Sequence, residues 1–168
     1  MSVEFAPVKT AEQIQELAEL AYEIWHEYFP CLLTEEQIVY MVERYQSVRA
    51  ISEQIEKQGY EYFVLFDNEE MLGYLGMQPQ EGSLFLSKIY LRAPHRGKGY
   101  ASQAFAFIEQ ICHDRVLDAI WLTVNKGNEQ AIHAYEAKGF RVVREQKVDI
   151  GNDFFMDDYV MQKDIPLS

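Results

Sequence analysis

Cysteine is scarce: Cys31 and Cys112 are the two in 168 residues. Two are too few for a disulfide framework, and both read as free thiols in a reducing compartment. Long apolar runs are missing too. No stretch approaches the ~18 consecutive apolar residues of a membrane span. The opening MSVEFAPVKT has no basic region followed by an apolar run, so no secretory signal is expected. Positive charge is in deficit: 15 Lys and Arg stand against 27 Asp and Glu, a net −12. That balance argues against a protein that wraps nucleic acid or sits on anionic lipid. No repeat and no Pro/Gly/Ser-rich linker divides the chain, so one domain over residues 1–168 is expected, in the cytoplasm.

What is present is a core. Hydrophobic residues make up 48% and aromatics 14%, which excludes disorder. A short strand is expected over Val3–Val8. Thr10 with Gln13 reads as a capping box. Ile14, Leu17, Ala21, Ile24, Trp25 and Tyr28 follow at helical spacing, and Pro30 ends the helix. Thr34 with Gln37 repeats the cap for a second helix. A third runs from Ser47 to Gln58, with Gly59 as its stop. Tyr60–Phe66, Met71–Gln78 and Leu84–Leu91 then read as an antiparallel meander. A helix follows from about Ala101 to Arg115, with Cys112 on its apolar face. Ala119–Val124 reads as a buried strand. Asn128 opens another helix with Ala131, Ile132 and Tyr135 inside it, ended by Gly139. Phe140–Ile150 and Phe154–Lys163 make a closing hairpin. Helices crossing between strands of a mixed sheet imply a three-layer α/β sandwich.

The strand–turn–helix from Ile89 to Phe105 carries the most chemistry. A helix N-terminus offers unpaired N–H groups and a positive dipole end. Gly97 and Gly99 let the backbone approach a ligand, and Arg96 and Lys98 add positive charge. Together they suit a phosphate or pyrophosphate. The loop is not a Walker motif, because G-x-x-x-x-G-K-[ST] is absent. Nor is it the dinucleotide fingerprint, because Ser102 stands where a third glycine belongs.

A second segment, Asn125 to Phe140, narrows the reading. Arg96-x-x-Gly99-x-Ala101 resembles the acyl-CoA signature [RQ]-x-x-G-x-[GA] of the GNAT N-acetyltransferase superfamily. Asn128, Ala131, Tyr135, Gly139 and Phe140 resemble that family's N-x-x-A-x-x-x-Y-x-x-x-G-F stretch. Both occur in the family's order, after the expected strands. The resemblance covers residues 60 to 163 well and the first 58 in outline.

It implies a mixed, mostly antiparallel sheet in an α-β-α sandwich, splayed between the fourth and fifth strands. Residues 1–58 would form the acceptor side and 84–139 the acyl-CoA core. The backbone of Ile89, Tyr90 and Leu91 would pair with the pantetheine arm of acetyl-CoA, as an extended amide ligand pairs with an open strand edge. N–H groups of Arg96, Gly97, Lys98, Gly99, Tyr100, Ala101 and Ser102 would hold the pyrophosphate. Asn128 would bond the pantetheine arm, and it also reads as a helix N-cap.

The implied reaction is direct acyl transfer from a thioester to an amine. It needs a base for the ammonium, an oxyanion donor and an acid for the thiolate. A backbone N–H near Leu91 would be the oxyanion donor. Tyr135 is the candidate acid; a free phenol has a pKa of about 10. Its other reading is an aromatic on the core face of its helix. The meander's last strand carries no carboxylate, so the base is left to a water chain or to Glu23, His26 or Glu27, which share a turn of helix. A solvated helix face explains those three equally well. Cys31 has no visible base and is not expected to carry the acyl group. His26, His95, His113 and His133 are scattered, without zinc-ligand spacing, so no metal is expected.

The charge is unevenly spread. Residues 1–84 hold 4 basic and 16 acidic side chains, net −12, and residues 85–168 hold 11 of each, net zero. An acidic, aromatic acceptor half suits a small cationic amine, and the chain faintly resembles the bacterial spermidine/spermine acetyltransferase subgroup. A protein or peptide amine, or a non-catalytic acyl-CoA-binding module, are the alternatives. A homodimer through the sheet edge or the hairpin is common in the family.

Overall fold

A computed structural model describes residues 3–167. The chain runs β1 (Glu4–Pro7), α1 (Ala11–Tyr28), α2 (Glu35–Tyr45), α3 (Val48–Lys57), β2 (Glu61–Asp67), β3 (Glu70–Pro79) and β4 (Ser83–Leu91). It continues with α4 (Tyr100–Arg115), β5 (Ala119–Asn125), α5 (Glu129–Ala137), β6 (Arg141–Gly151) and β7 (Phe154–Asp164). The strand order is β1-β2-β3-β4-β5-β7-β6. This is the expected mixed sheet, in the expected element order. Two compact units divide the chain. One holds the residues up to Pro79 with Ser87–Ile108; the other holds Gln80–Leu86 with everything from Glu109 on.

The first unit is built on β2 and β3. Strand alternation sends Tyr62 and Phe63 to opposite faces. Tyr62 meets the helix α1–α3 side, through Gln46 and Gln54. Phe63 packs edge-on against Phe107 of α4, which also stacks on Phe5 of β1 at 4.2 Å. Helices therefore cover both faces of this part of the sheet, as the three-layer expectation required.

Both expected capping boxes form. Thr10 and Thr34 each accept from the N–H three residues on, and Gln13 and Gln37 reach back to the cap. Ser47 caps α3 in the same way, and Gly59 follows it at φ 71°. Behind α1 lies a buried polar chain. Trp25 Nε1 donates to Tyr74 Oη at 3.0 Å, and Tyr74 donates to Gln46 Oε1 at 2.6 Å. Gln46 Nε2 donates to Tyr62 Oη at 3.1 Å, and Tyr62 donates to Gln54 Oε1 at 2.6 Å. Each buried hydroxyl both donates and accepts, so its desolvation is offset. Burial drives the Tyr62 and Tyr74 phenols upward, so both are neutral structural groups near neutral pH.

In the second unit β5 pairs with the start of β4 in parallel, Ser83 opposite Ala119 through Phe85 opposite Trp121. That pairing takes in three of the nine β4 residues, as a sheet splayed between its fourth and fifth strands requires. β7 runs antiparallel to β5 from Ala119↔Asp164 to Asn125↔Asp158, and β6 forms the closing hairpin with it. Phe85 stacks on Trp121 at 4.2 Å, and Trp121 donates to Gln80 Oε1. Cys112 is fully buried here and Cys31 is exposed in the first unit; both are free. Burial pushes the Cys112 thiol up to about 11.

Ala131, Ile132 and Tyr135 lie within α5 as expected, and the helix fully buries no residue. Its nine residues are too few for a wide apolar stripe, and Ile132 and Tyr135 are half-buried.

Candidate active site

In the first unit, β4 ends at Leu91 and a short 3-10 turn follows at Ala93–His95. Proline at its second residue favours that turn. The loop then passes through Gly97 at φ 75° and Gly99 at φ 86° into α4 at Tyr100. Both glycines occupy the left-handed region that costs other residues energy. A side chain built on either would meet no atom within 4 Å. The loop therefore has open space beside its backbone where it leads into a helix N-terminus. Lys98 is exposed between the glycines, and Ser102 is exposed in the first turn. Ile89, Tyr90, Leu91, Arg96–Ser102 are thus gathered in one continuous stretch of this unit.

Arg96 is not turned toward the glycines alone. Its Nε donates to Leu91 O at 2.9 Å and its Nη2 to Glu27 Oε1 at 3.1 Å, and its guanidinium lies 5.1 Å from the Tyr28 ring centroid. The same Glu27 oxygen accepts from the Ala93 N–H at 3.2 Å. One helical turn earlier, Glu23 accepts from Arg92 Nε at 2.7 Å. Arg92 also reaches Met71 O at 3.3 Å. His95 is buried, with Nε2 3.2 Å from Glu70 Oε1. Tyr100 Oη donates to Asp67 Oδ2 at 3.3 Å, and burial with the Asp67 carboxylate raises that phenol.

All three side chains expected as base candidates are therefore engaged. Glu23 and Glu27 hold arginines. His26 Nδ1 lies 2.9 Å from Tyr22 O, and its ring stacks on Tyr22. Their sequence spacing put them on one helical turn, but not on these partners. The one signal available was a shared interval: Glu23 and Glu27 are four apart, and so are Arg92 and Arg96. Asp67 and Glu70 lie between the expected strands Tyr60–Phe66 and Met71–Gln78, and no local signal pairs them with Tyr100 and His95.

The face of β4 toward α1 is aromatic. Tyr90 lies within 6.0 Å, ring to ring, of Trp25, Tyr28, Phe29 and Tyr74. Among them sits Lys88. Its ammonium lies 5.9 Å from the Trp25 ring centroid and donates to Ser87 Oγ at 3.1 Å and Ser87 O at 3.2 Å. A cation was not foreseen as part of this cluster.

In the second unit, Asn128 caps α5: its side chain accepts from the Ala131 N–H at 3.3 Å. The preceding turn is held by Asn125 Oδ1, which accepts from the Gly127 N–H at 2.7 Å. Lys126 bridges Glu145 and Asp157. Tyr135 is half-buried, its ring 5.8 Å from that of buried Phe140. Phe140 N–H donates to Tyr135 O at 3.0 Å, and Gly139 makes the turn between them at φ 97°. Among the described residues no His, Cys, Asp and Glu cluster could hold a metal ion, and no helix is long and apolar enough to cross a membrane.

Comparisons agree with this architecture. The N-acetyltransferase PaiA of Thermoplasma acidophilum, solved with coenzyme A, superposes at a TM-score of 0.79 with 19% identity, over 98% of this chain and 99% of that one. The ribosomal-protein-S18-alanine N-acetyltransferase of Escherichia coli gives 0.71 and 18%, over 99% and 96%. A spermidine N-acetyltransferase chimera, SpeG of Vibrio cholerae with hSSAT, gives 0.67 and 16%, over 97% and 95%. At such identities the likeness speaks for the fold. A search of curated proteins returns no match. The profile described as the Acetyltransferase (GNAT) family matches residues 17–140, most of the chain and both motif segments. The chain therefore belongs to the GNAT family and is an acetyl-CoA-dependent acetyltransferase.

Proposed function

We propose that the chain transfers the acetyl group of acetyl-CoA directly to the primary amine of a small molecule. The observation that carries this reading is the glycine loop. Two left-handed glycines with open space where a side chain would stand leave room for a diphosphate at the α4 N-terminus. Acetyl-CoA supplies an acetyl thioester; the rest is done by this chain. N–H groups of Arg96–Ser102 receive the pyrophosphate, and Lys98 adds an exposed cation. The backbone of Ile89, Tyr90 and Leu91 orients the pantetheine arm, and an N–H near Leu91 steadies charge on the reacting carbonyl. In the second unit Asn128 binds the arm while capping α5, and the Tyr135 hydroxyl gives a proton to the departing sulfur.

For the acceptor, the acidity of residues 1–84 favours a small cationic amine such as a polyamine. A second reading is supported by Lys88. Glu23 and Glu27 are bonded to arginines, and Lys88, bonded to Ser87, holds its ammonium beside the Trp25 ring. Surface charge is screened over ~8–10 Å, so scattered carboxylates steer arrivals while an adjacent ammonium selects among them. An amine that also bears a carboxylate, an amino acid or short peptide, fits Lys88. A thiol-release assay with acetyl-CoA decides between them. Turnover of polyamines supports the first reading. Turnover of carboxylate-bearing amines, lost in Lys88→Met, supports the second. Binding of acetyl-CoA with no turnover on any amine overturns both.

A further inference from the structure

We infer that Glu27, with Glu23 beside it, is a positioning residue that presets the phosphate loop from helix α1. The inference rests on the reading of that loop as the pyrophosphate site. Glu27 Oε1 accepts twice, from the Ala93 N–H at 3.2 Å and from Arg96 Nη2 at 3.1 Å. Those donors flank the 3-10 turn through which the chain leaves β4. Arg96 closes the ring by donating from Nε to Leu91 O at 2.9 Å. One carboxylate and one guanidinium thus tie the end of β4, the turn and the first loop residue to α1. Glu23 fixes the same segment one turn earlier, through Arg92 at 2.7 Å. Downstream of this clasp the backbone runs through left-handed Gly97, Lys98 and left-handed Gly99 into α4, where Gly99 O accepts from the Gln103 N–H at 3.3 Å.

An acidic side chain beside a diphosphate site is the wrong choice on charge alone. A carboxylate repels the ligand, and removing it should tighten binding. Glu27 is tolerated there because its charge is met by Arg96, and because a preset loop loses less entropy when the diphosphate arrives. At least two of the guanidinium's five N–H groups serve the loop itself. The arginine of the [RQ]-x-x-G-x-[GA] pattern then works chiefly by shaping backbone.

Charge and clasp predict opposite signs. Calorimetric titration of the full chain with CoA is the test. Glu27→Gln should weaken CoA binding about tenfold, the scale of a lost hydrogen bond to a charged group. Its kcat at saturating acetyl-CoA should stay within about twofold, so the defect falls on KM. Arg96→Lys, which keeps the charge and loses the fork, should weaken CoA binding similarly. The double variant Glu27→Arg with Arg96→Glu should recover part of the loss. Tighter or unchanged CoA binding in Glu27→Gln overturns the inference, as does normal binding in Arg96→Lys. If Glu27→Gln fails to fold, Arg96→Lys decides alone by the same criterion. Failure of the unaltered chain to bind CoA would instead bring down the reading of the loop itself.

Discussion

The phosphate loop and helix α5 are held in opposite ways. The loop's flanks meet carboxylates from three places: Glu23 and Glu27 on α1 hold Arg92 and Arg96, Asp67 at the end of β2 accepts from Tyr100, and Glu70 at the start of β3 lies 3.2 Å from His95 Nε2. Within the same unit a polar chain from Trp25 to Gln54 is buried with its hydroxyls satisfied. Helix α5 buries nothing and is held by its ends, through the Asn128 cap before it and Gly139 and buried Phe140 after it. Two motifs of equal weight in the sequence thus stand on different supports. The loop proposed to grip a diphosphate is tied from several elements, and the helix proposed to offer one hydroxyl is held at its ends.

That contrast can be broken by mutation. The largest effect is expected at Tyr135. Tyr135→Phe should cut kcat about a hundredfold, the low end of general acid–base contributions, and leave stability and acetyl-CoA affinity almost unchanged. An equal loss in affinity would show that α5 holds the cofactor rather than the proton. Next comes the support of the first unit. Gln46→Leu takes one of two partners from each of the Tyr74 and Tyr62 hydroxyls and should cost about 2–3 kcal/mol in denaturant unfolding. A cost near zero would mean the buried chain is not what makes this unit firm. Gly99→Ala forces a side chain into φ 86° and should cost about 1 kcal/mol while weakening CoA binding. Asn128→Ser should be the mildest. Serine preserves the cap, so melting should hold, while the acetyl-CoA KM rises a few-fold. A fall in melting temperature without a change in KM would leave Asn128 as a cap alone.

A chemical probe sharpens the comparison further. Cys112 lies on α4, which the loop opens into, and burial pushes its thiol up to about 11. A raised value means the neutral thiol prevails at pH 8. A thiol reagent should then modify exposed Cys31 quickly and Cys112 only after unfolding. Rapid labelling of both would show that α4 opens readily in the native state.

Much of this was legible from local chemistry. Thr10, Thr34 and Asn128 cap the helices where their side chains predicted, because a cap is decided by residues three apart. Gly97 and Gly99 marked a loop whose backbone is bare of side chains, and the structure puts both in the left-handed region that glycine tolerates.

The sequence by itself determined the order of elements, the glycine loop, the tyrosine-bearing helix and hence the family. All of these depend on neighbours within a few positions, where propensity and sterics act. Only the tertiary structure decided what Glu23 and Glu27 are for. Their arginine partners lie 69 residues further along the chain, and no local rule reaches that far. It also decided that Lys88 stands over Trp25, since a strand and a helix distant in sequence must first pack before a cation can meet that ring. Partner choice among charges is a three-dimensional matter. Coulomb energy depends on distance in space, and the sequence records only distance along the chain.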